Sequence, residues 1–163
     1  TLDFTSGIDS TYDEYVFKFI DIHPATDNVN FTFQGNAAGG SGYNETITST
    51  WFVTYQDEAG TATSLEYNAG NDQAQGTGFN TLQDACGNDN DHSLAGYLHL
   101  FNPSSTTFVK HWVARCNRSH QADYTGDAFA AGYFNTTSAI DEIQFKFSSG
   151  NIDSGVIKMY GVV

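Results

Sequence analysis

Large apolar residues recur at every second position in short runs, and clusters of Gly, Asn, Asp and Ser separate the runs. Successive side chains of a strand point to opposite faces, so a period of two marks half-buried antiparallel strands. A helical period of 3.6 is almost absent. The first strong run is 15–22, with Tyr15, Phe17 and Phe19 on one face and Lys18 on the other. The Pro and Asp of His23-Pro-Ala-Thr-Asp27 predict a turn. Val29, Phe31 and Phe33 then alternate with Asn30 and Thr32, predicting a strand that returns as the hairpin partner of the first.

Residues 35–42 are rich in glycine and predict a surface loop. The loop lacks the Lys and Ser/Thr frame of a phosphate-binding Walker loop. A third strand is expected over Thr46–Tyr55, with Ile47, Trp51, Val53 and Tyr55 inward, and a short fourth over Ser64–Tyr67. Residues 68–93 offer only Phe79, Leu82 and Cys86 as core anchors and predict a long excursion between sheets. In the next run Leu94, Gly96, Leu98 and Leu100 alternate with Tyr97, His99 and Phe101. Apolar residues on both faces predict a strand covered on each side. The turn at 102–107 leads into Phe108–Cys116, the clearest hairpin signal in the chain. Further runs at 129–134, 140–147 and 156–162 close the pattern. About eight to ten strands without helices predict an all-β fold, an antiparallel two-sheet β-sandwich of jelly-roll type, formed by residues 1–163 as a single domain.

Composition narrows the function classes. The 163 residues are 39% hydrophobic and 15% aromatic, enough for an ordinary core and too aromatic for a disordered acidic chain. Six Lys and Arg face 19 Asp and Glu, a formal net charge of −13. Neither nucleic acid nor an anionic membrane surface is an expected partner, because both require clustered cations. No run approaches the roughly 18 apolar residues of a membrane helix. The chain begins Thr1-Leu-Asp-Phe without Met, which leaves room for a preceding segment. Cys86 and Cys116 allow one disulfide or two reduced thiols.

Candidate chemistry is sparse, and no cofactor is expected. No nucleophile elbow occurs, and Cys116 beside Arg115 reads first as a structural thiol. Gly87–His92 gathers Asp89, Asp91 and His92 but lacks the glycine and distant Glu of a calcium loop, so it reads as a surface turn. His99 and His111, on the two arms of the predicted hairpin, read as a cross-strand polar pair before a zinc site. The acidic pairs Asp13-Glu14, Asp57-Glu58 and Asp141-Glu142 fall at strand ends or turns, away from the facing arrangement of a glycosidase. Sequons at Asn30, Asn44, Asn117 and Asn135 matter only in a eukaryotic secreted protein. Sugar binding without catalysis has candidate materials in Trp51, Trp112, Tyr43 and Tyr97, although tryptophans at strand period more often build core.

Three segments carry a resemblance: the opening Leu2-Asp-Phe-Thr-Ser-Gly-Ile-Asp-Ser-Thr-Tyr12, the turn Phe19-Ile-Asp-Ile-His-Pro-Ala-Thr-Asp27, and the ending Ile143-Gln-Phe-Lys-Phe-Ser-Ser-Gly-Asn-Ile-Asp-Ser-Gly-Val-Ile-Lys-Met-Tyr-Gly161. The chain resembles virion structural proteins of tailed bacteriophages, particularly marine ones, of the tail-fibre or capsid-surface type. The resemblance implies a non-enzymatic, multi-copy β-rich component of the particle surface, with no catalytic set to carry over. The expected partners are other virion proteins and the chain itself, as a homo-oligomer with a trimer first and contacts through residues 68–93 and loop aromatics. A host-surface glycan is the partner in the alternative, lectin-like reading.

Overall fold

The computed structural model describes all residues from Thr1 to Val163 and consists of twelve β-strands without a helix. They are β1 (Leu2–Phe4), β2 (Glu14–Pro24), β3 (Val29–Ala37), β4 (Ile47–Asp57), β5 (Thr63–Tyr67), β6 (Ala74–Gly76), β7 (Asn80–Cys86), β8 (Leu94–Phe101), β9 (Lys110–His120), β10 (Tyr124–Phe134), β11 (Ile140–Phe147) and β12 (Ile152–Val162). The small sheet has the order β1-β11-β3-β7. The large sheet runs β12-β2-β8-β9-β10-β4-β5, with β6 also pairing β4. All pairings are antiparallel, as expected for a two-sheet sandwich.

The period-two faces hold. Tyr15, Phe17 and Phe19 point into the core from β2, as do Ile47, Trp51 and Val53 from β4. Opposite them, Phe31 and Phe33 of β3 and Phe145 and Phe147 of β11 complete an aromatic layer between the sheets. Phe19 meets Phe31 edge-on at 5.1 Å between centroids, and Phe33 meets Trp112 edge-on at 4.8 Å. These are the arrangements that ring quadrupoles favour. One apolar cluster of 27 buried residues draws on both sheets.

The strands differ from the sequence reading in three places, in partner, in number and in extent. The runs on either side of 25–28 are not a hairpin: β2 lies between β12 and β8, whereas β3 lies between β11 and β7. The turn carries the chain from one sheet to the other, and so does 148–151 between β11 and β12. Alternation fixes the face of a strand but not its neighbour, because pairing is settled between segments distant in sequence. The 68–93 excursion is likewise not free of regular structure, since it contains β6 and β7. Strand β7 buries Asn80, Thr81 and Gln83, whose polarity hides it from any hydrophobic pattern. The Asn80 carboxamide oxygen accepts from the Ser49 hydroxyl at 2.7 Å, and the Gln83 amide donates to the Gly126 carbonyl at 3.0 Å, so polar bonds join the sheets at this end. Finally, Gly35–Ala37 continue β3, and only the remainder of the glycine-rich segment is loop.

The register of β2 shifts against β8 at Phe19/Ile22 and against β12 around Ser154, where Asp21 has φ 50 and Gly155 has φ 110. A Cβ at Gly155 would come within 2.7 Å of the Ile22 Cα, so only glycine lets the two backbones approach there. The bulge restores the alternation needed to keep Ile22 in the core after Phe19.

Candidate functional site

The inner faces of both sheets are consumed by the core, which leaves their outer faces to meet solvent or a partner. The outer face of the large sheet is unusual for its aromatic content. Register places Lys158, Lys18, Tyr97, Arg115, Phe129, Phe52 and Tyr67 in one cross-strand row, one residue from each of the seven strands β12 to β5. At about 4.8 Å per strand the row spans nearly 30 Å. Phe52 and Phe129 stack face to face with centroids 4.9 Å apart, and the Arg115 guanidinium lies over Phe129 at 4.8 Å. Asp127, two residues before Phe129 on β10, accepts from Arg115 Nε and Nη2 at 3.1 and 2.8 Å. That carboxylate raises the Arg115 pKa and fixes the charge in place.

Two residues further along each strand runs a second row, Tyr160, Val16, His99, Val113, Ala131 and Thr50. Its small members form the floor of a groove. Ala131 lies between Phe129 and Tyr133 on β10, which stand about 13 Å apart at 3.3 Å per residue. The groove comprises two depressions. One, of about 330 Å³, lies between Thr48, Thr50, His111, Val113 and Tyr133, and the other, of about 190 Å³, runs from Thr50 and Val113 to Phe52 and Phe129. His111 packs against Tyr133 at 5.9 Å, so one wall is an imidazole-phenol pair and the other a Phe-Phe stack. A third depression, of about 350 Å³, adjoins Tyr97, Arg115, Asn117 and Asp127.

The sequence candidates separate into two groups. Trp51 and Trp112 are fully buried, which corrects their expected role as sugar platforms: neither ring face reaches the surface. Both belong to inward rows of β4 and β9, where alternation placed Trp51. Tyr97 is half-exposed on the large outer face. Tyr43 sits elsewhere, in the loop before β4, where burial and the nearby Asp3 and Glu142 charges push its phenol up to about 12. The residues that sequence reading missed are Phe52, Phe129, Val113 and Tyr133, and His111, read there as the partner of His99, stands with them instead. A signal was present, since Phe52 and Val113 alternate with core residues, but no period says whether the second face of a strand is covered. The expectation that β8 is covered on both sides is corrected in the same way, because Phe101 remains 38% exposed.

Other candidate groups have structural partners. The His99 Nδ1 contacts Glu14, and His99 lies opposite Val113 rather than His111, so the two imidazoles are displaced along the sheet. No three His, Cys, Asp or Glu side chains gather in a way that could hold a metal ion. Gly87–His92 is a turn, closed by the His92 amide donating to the Asp89 carbonyl at 2.8 Å. Asp57 accepts from the Thr61 hydroxyl and the Thr61 and Ala62 amides, which hold its pKa below the usual carboxylate value. Glu142 accepts from the Asn36 amide at 3.0 Å. Cys86 and Cys116 are free, buried thiols on opposite sheets. Burial pushes Cys86 up to about 12 and raises Cys116 as well, so neither is an activated nucleophile.

Compared with known proteins, the chain matches no family model, no curated protein and no solved structure.

Proposed function

We propose that this chain is a non-enzymatic structural component of a tailed-bacteriophage virion, present in many copies on the particle surface and assembling with itself, as a trimer first. The observation that carries the reading is the outer face of the large sheet. Large apolar side chains there stand in register across the sheet while the core is already complete without them. Phe52, Phe101, Val113 and Tyr160 are each 38 to 48% exposed, and Leu65 and Tyr67 more so. Contiguous apolar surface of this kind marks an interaction site. Multiple copies would let weak contacts add through avidity. The resemblance of the opening and closing segments to virion proteins supplies the biological setting.

The test is to purify particles of a phage encoding the chain, quantify it against the major capsid protein by mass spectrometry, and map its density by cryo-electron microscopy. Stoichiometric, symmetric density on the exterior is the expected result. Absence of the chain from purified particles refutes the reading.

A second reading, that the face binds host carbohydrate, is favoured by the groove. Its Ala131 and Val113 floor, its aromatic walls, and the Thr50, His111 and Tyr133 polar groups combine stacking surfaces with hydrogen-bonding groups, the requirements of a sugar site.

A further inference from the structure

Cations are scarce in this protein and their placement is uneven. Of the six, Lys110 is buried with its amine donating to the Phe108 and Thr136 carbonyls, and Arg118 is buried against Asp84. Lys146 lies over the Phe79 ring. The remaining three, Lys18, Lys158 and Arg115, all lie in the single row described above. Lys18 and Lys158 are direct cross-strand partners, and Tyr97 stands between Lys18 and Arg115. Like charges directly opposite on neighbouring strands destabilise a sheet. With 19 carboxylates in the chain, an acidic neighbour would relieve the repulsion, yet neither lysine takes part in an ion pair. Beside them, Arg115 and Asp127 form a rigid fork of donors and acceptors at the depression next to Tyr97.

We propose that this end of the row binds an acidic saccharide, with its carboxylate or sulfate between Lys18 and Lys158, a sugar face against Tyr97, and its hydroxyls on the Arg115–Asp127 fork. The inference rests on the carbohydrate reading above and adds the ligand's charge and position. The unpaired lysines call for a negative charge on the occupant, and a short saccharide brings that charge without the whole-chain repulsion of a second copy, which carries a further net charge of −13. The ring and the neutralised Arg–Asp fork favour a sugar over a simple anion, because a fork whose charge is already balanced suits hydroxyls.

The test is calorimetric titration of the intact chain with hexagalacturonate, maltohexaose, sodium sulfate and poly-glutamate, at 20 and 200 mM salt. Hexagalacturonate should bind, weaken as salt rises, and lose at least tenfold in affinity in the double variant Lys18→Ala/Lys158→Ala. Lys146→Ala should bind as the parent chain does. The double variant should melt no lower than the parent, because a repulsive pair has been removed, so lost binding cannot be attributed to unfolding. Maltohexaose binding equal to hexagalacturonate and insensitive to both lysines overturns the anion site while the groove reading stands. Binding of neither saccharide overturns both. Equal competition by sulfate alone leaves an adventitious anion site and rejects the sugar, and equal, lysine-dependent binding of poly-glutamate assigns the row to an acidic protein instead.

Discussion

Removal of the Asp84 carboxylate should leave a buried guanidinium without its counter-charge. Arg118 of β9 crosses between the sheets with 4% of its side chain exposed, and its Nη2 meets Asp84 Oδ1 of β7 at 2.9 Å. Its Nε also donates to the Ala85 carbonyl at 3.1 Å. Ala85 has φ 41, a left-handed conformation that an alanine adopts only under constraint, and the Asn30 carboxamide oxygen accepts from its amide at 3.1 Å. One guanidinium therefore ties β7 to β9 and helps hold a strained residue.

Stripping one partner from a buried ion pair costs 3–5 kcal/mol, because the other charge is left desolvated. Asp84 is 21% exposed and the bond to Ala85 survives, so Asp84→Ala belongs at the lower end, about 3 kcal/mol. With a urea m-value of about 2 kcal/mol/M, the unfolding midpoint should fall by about 1.5 M with m unchanged. Gly126, directly opposite Arg118, supplies a second arm, because a Cβ there would collide with Arg118 Nη1. Gly126→Ala should destabilise the parent by about 2 kcal/mol but be nearly neutral once Arg118 is Ala, a coupling well above the 0.5 kcal/mol expected of independent sites. Urea unfolding followed by tryptophan fluorescence measures all of these variants. A midpoint shift below 0.3 M for Asp84→Ala, or additive effects for Gly126 and Arg118, refutes the argument that the guanidinium is a desolvated clamp.

Core and face aromatics should separate by assay: Trp112→Ala should cost about 3–5 kcal/mol of stability, whereas Phe129→Ala should cost under about 1.5 kcal/mol and remove saccharide binding where binding is found. His120 packs against Tyr124 at 4.0 Å, and burial, followed by the Arg118 charge, lowers its pKa. The unfolded chain then binds the proton more readily, so stability should fall as pH drops through about 6.5 and level off below the folded pKa; a pH series in which His120→Gln keeps the full slope contradicts this. Cys86 and Cys116 should resist a thiol reagent at pH 8 in native buffer and both react in urea, and prompt labelling of the native chain would overturn their assignment as inert core thiols. Self-association, measured by sedimentation across ionic strength, should strengthen from 20 to 150 mM salt as repulsion between chains of charge −13 is screened. That sign is opposite to the one expected for an acidic ligand at Lys18 and Lys158, so the two contacts can be told apart.

The amino-acid order by itself determined the all-β class, the position of most strands and which face of each points inward. These follow from steric alternation, which is local: Tyr15, Phe17 and Phe19 must share a side whatever lies opposite them. Tertiary structure alone decided which strands are neighbours. The hairpin expected between 15–22 and 29–33 became a crossing between sheets, because burial of Phe31 against Phe19, Phe33 against Trp112 and Phe17 against Phe145 outweighs the pairing of two runs that are merely close in sequence. It also decided that β7, with Asn80 and Gln83 inward, is a strand, since the Asn80 oxygen and the Gln83 amide find their partners in Ser49 and Gly126 of the facing sheet. The candidate site was the least legible part. Tyr97 could be read from the sequence, but Trp51 and Trp112 are core, while Phe52, Phe129 and the lysine pair acquire meaning only when seven strands line up in one register. A period along one strand carries no information about the row across the sheet, and in this protein the row is where the surface chemistry lies.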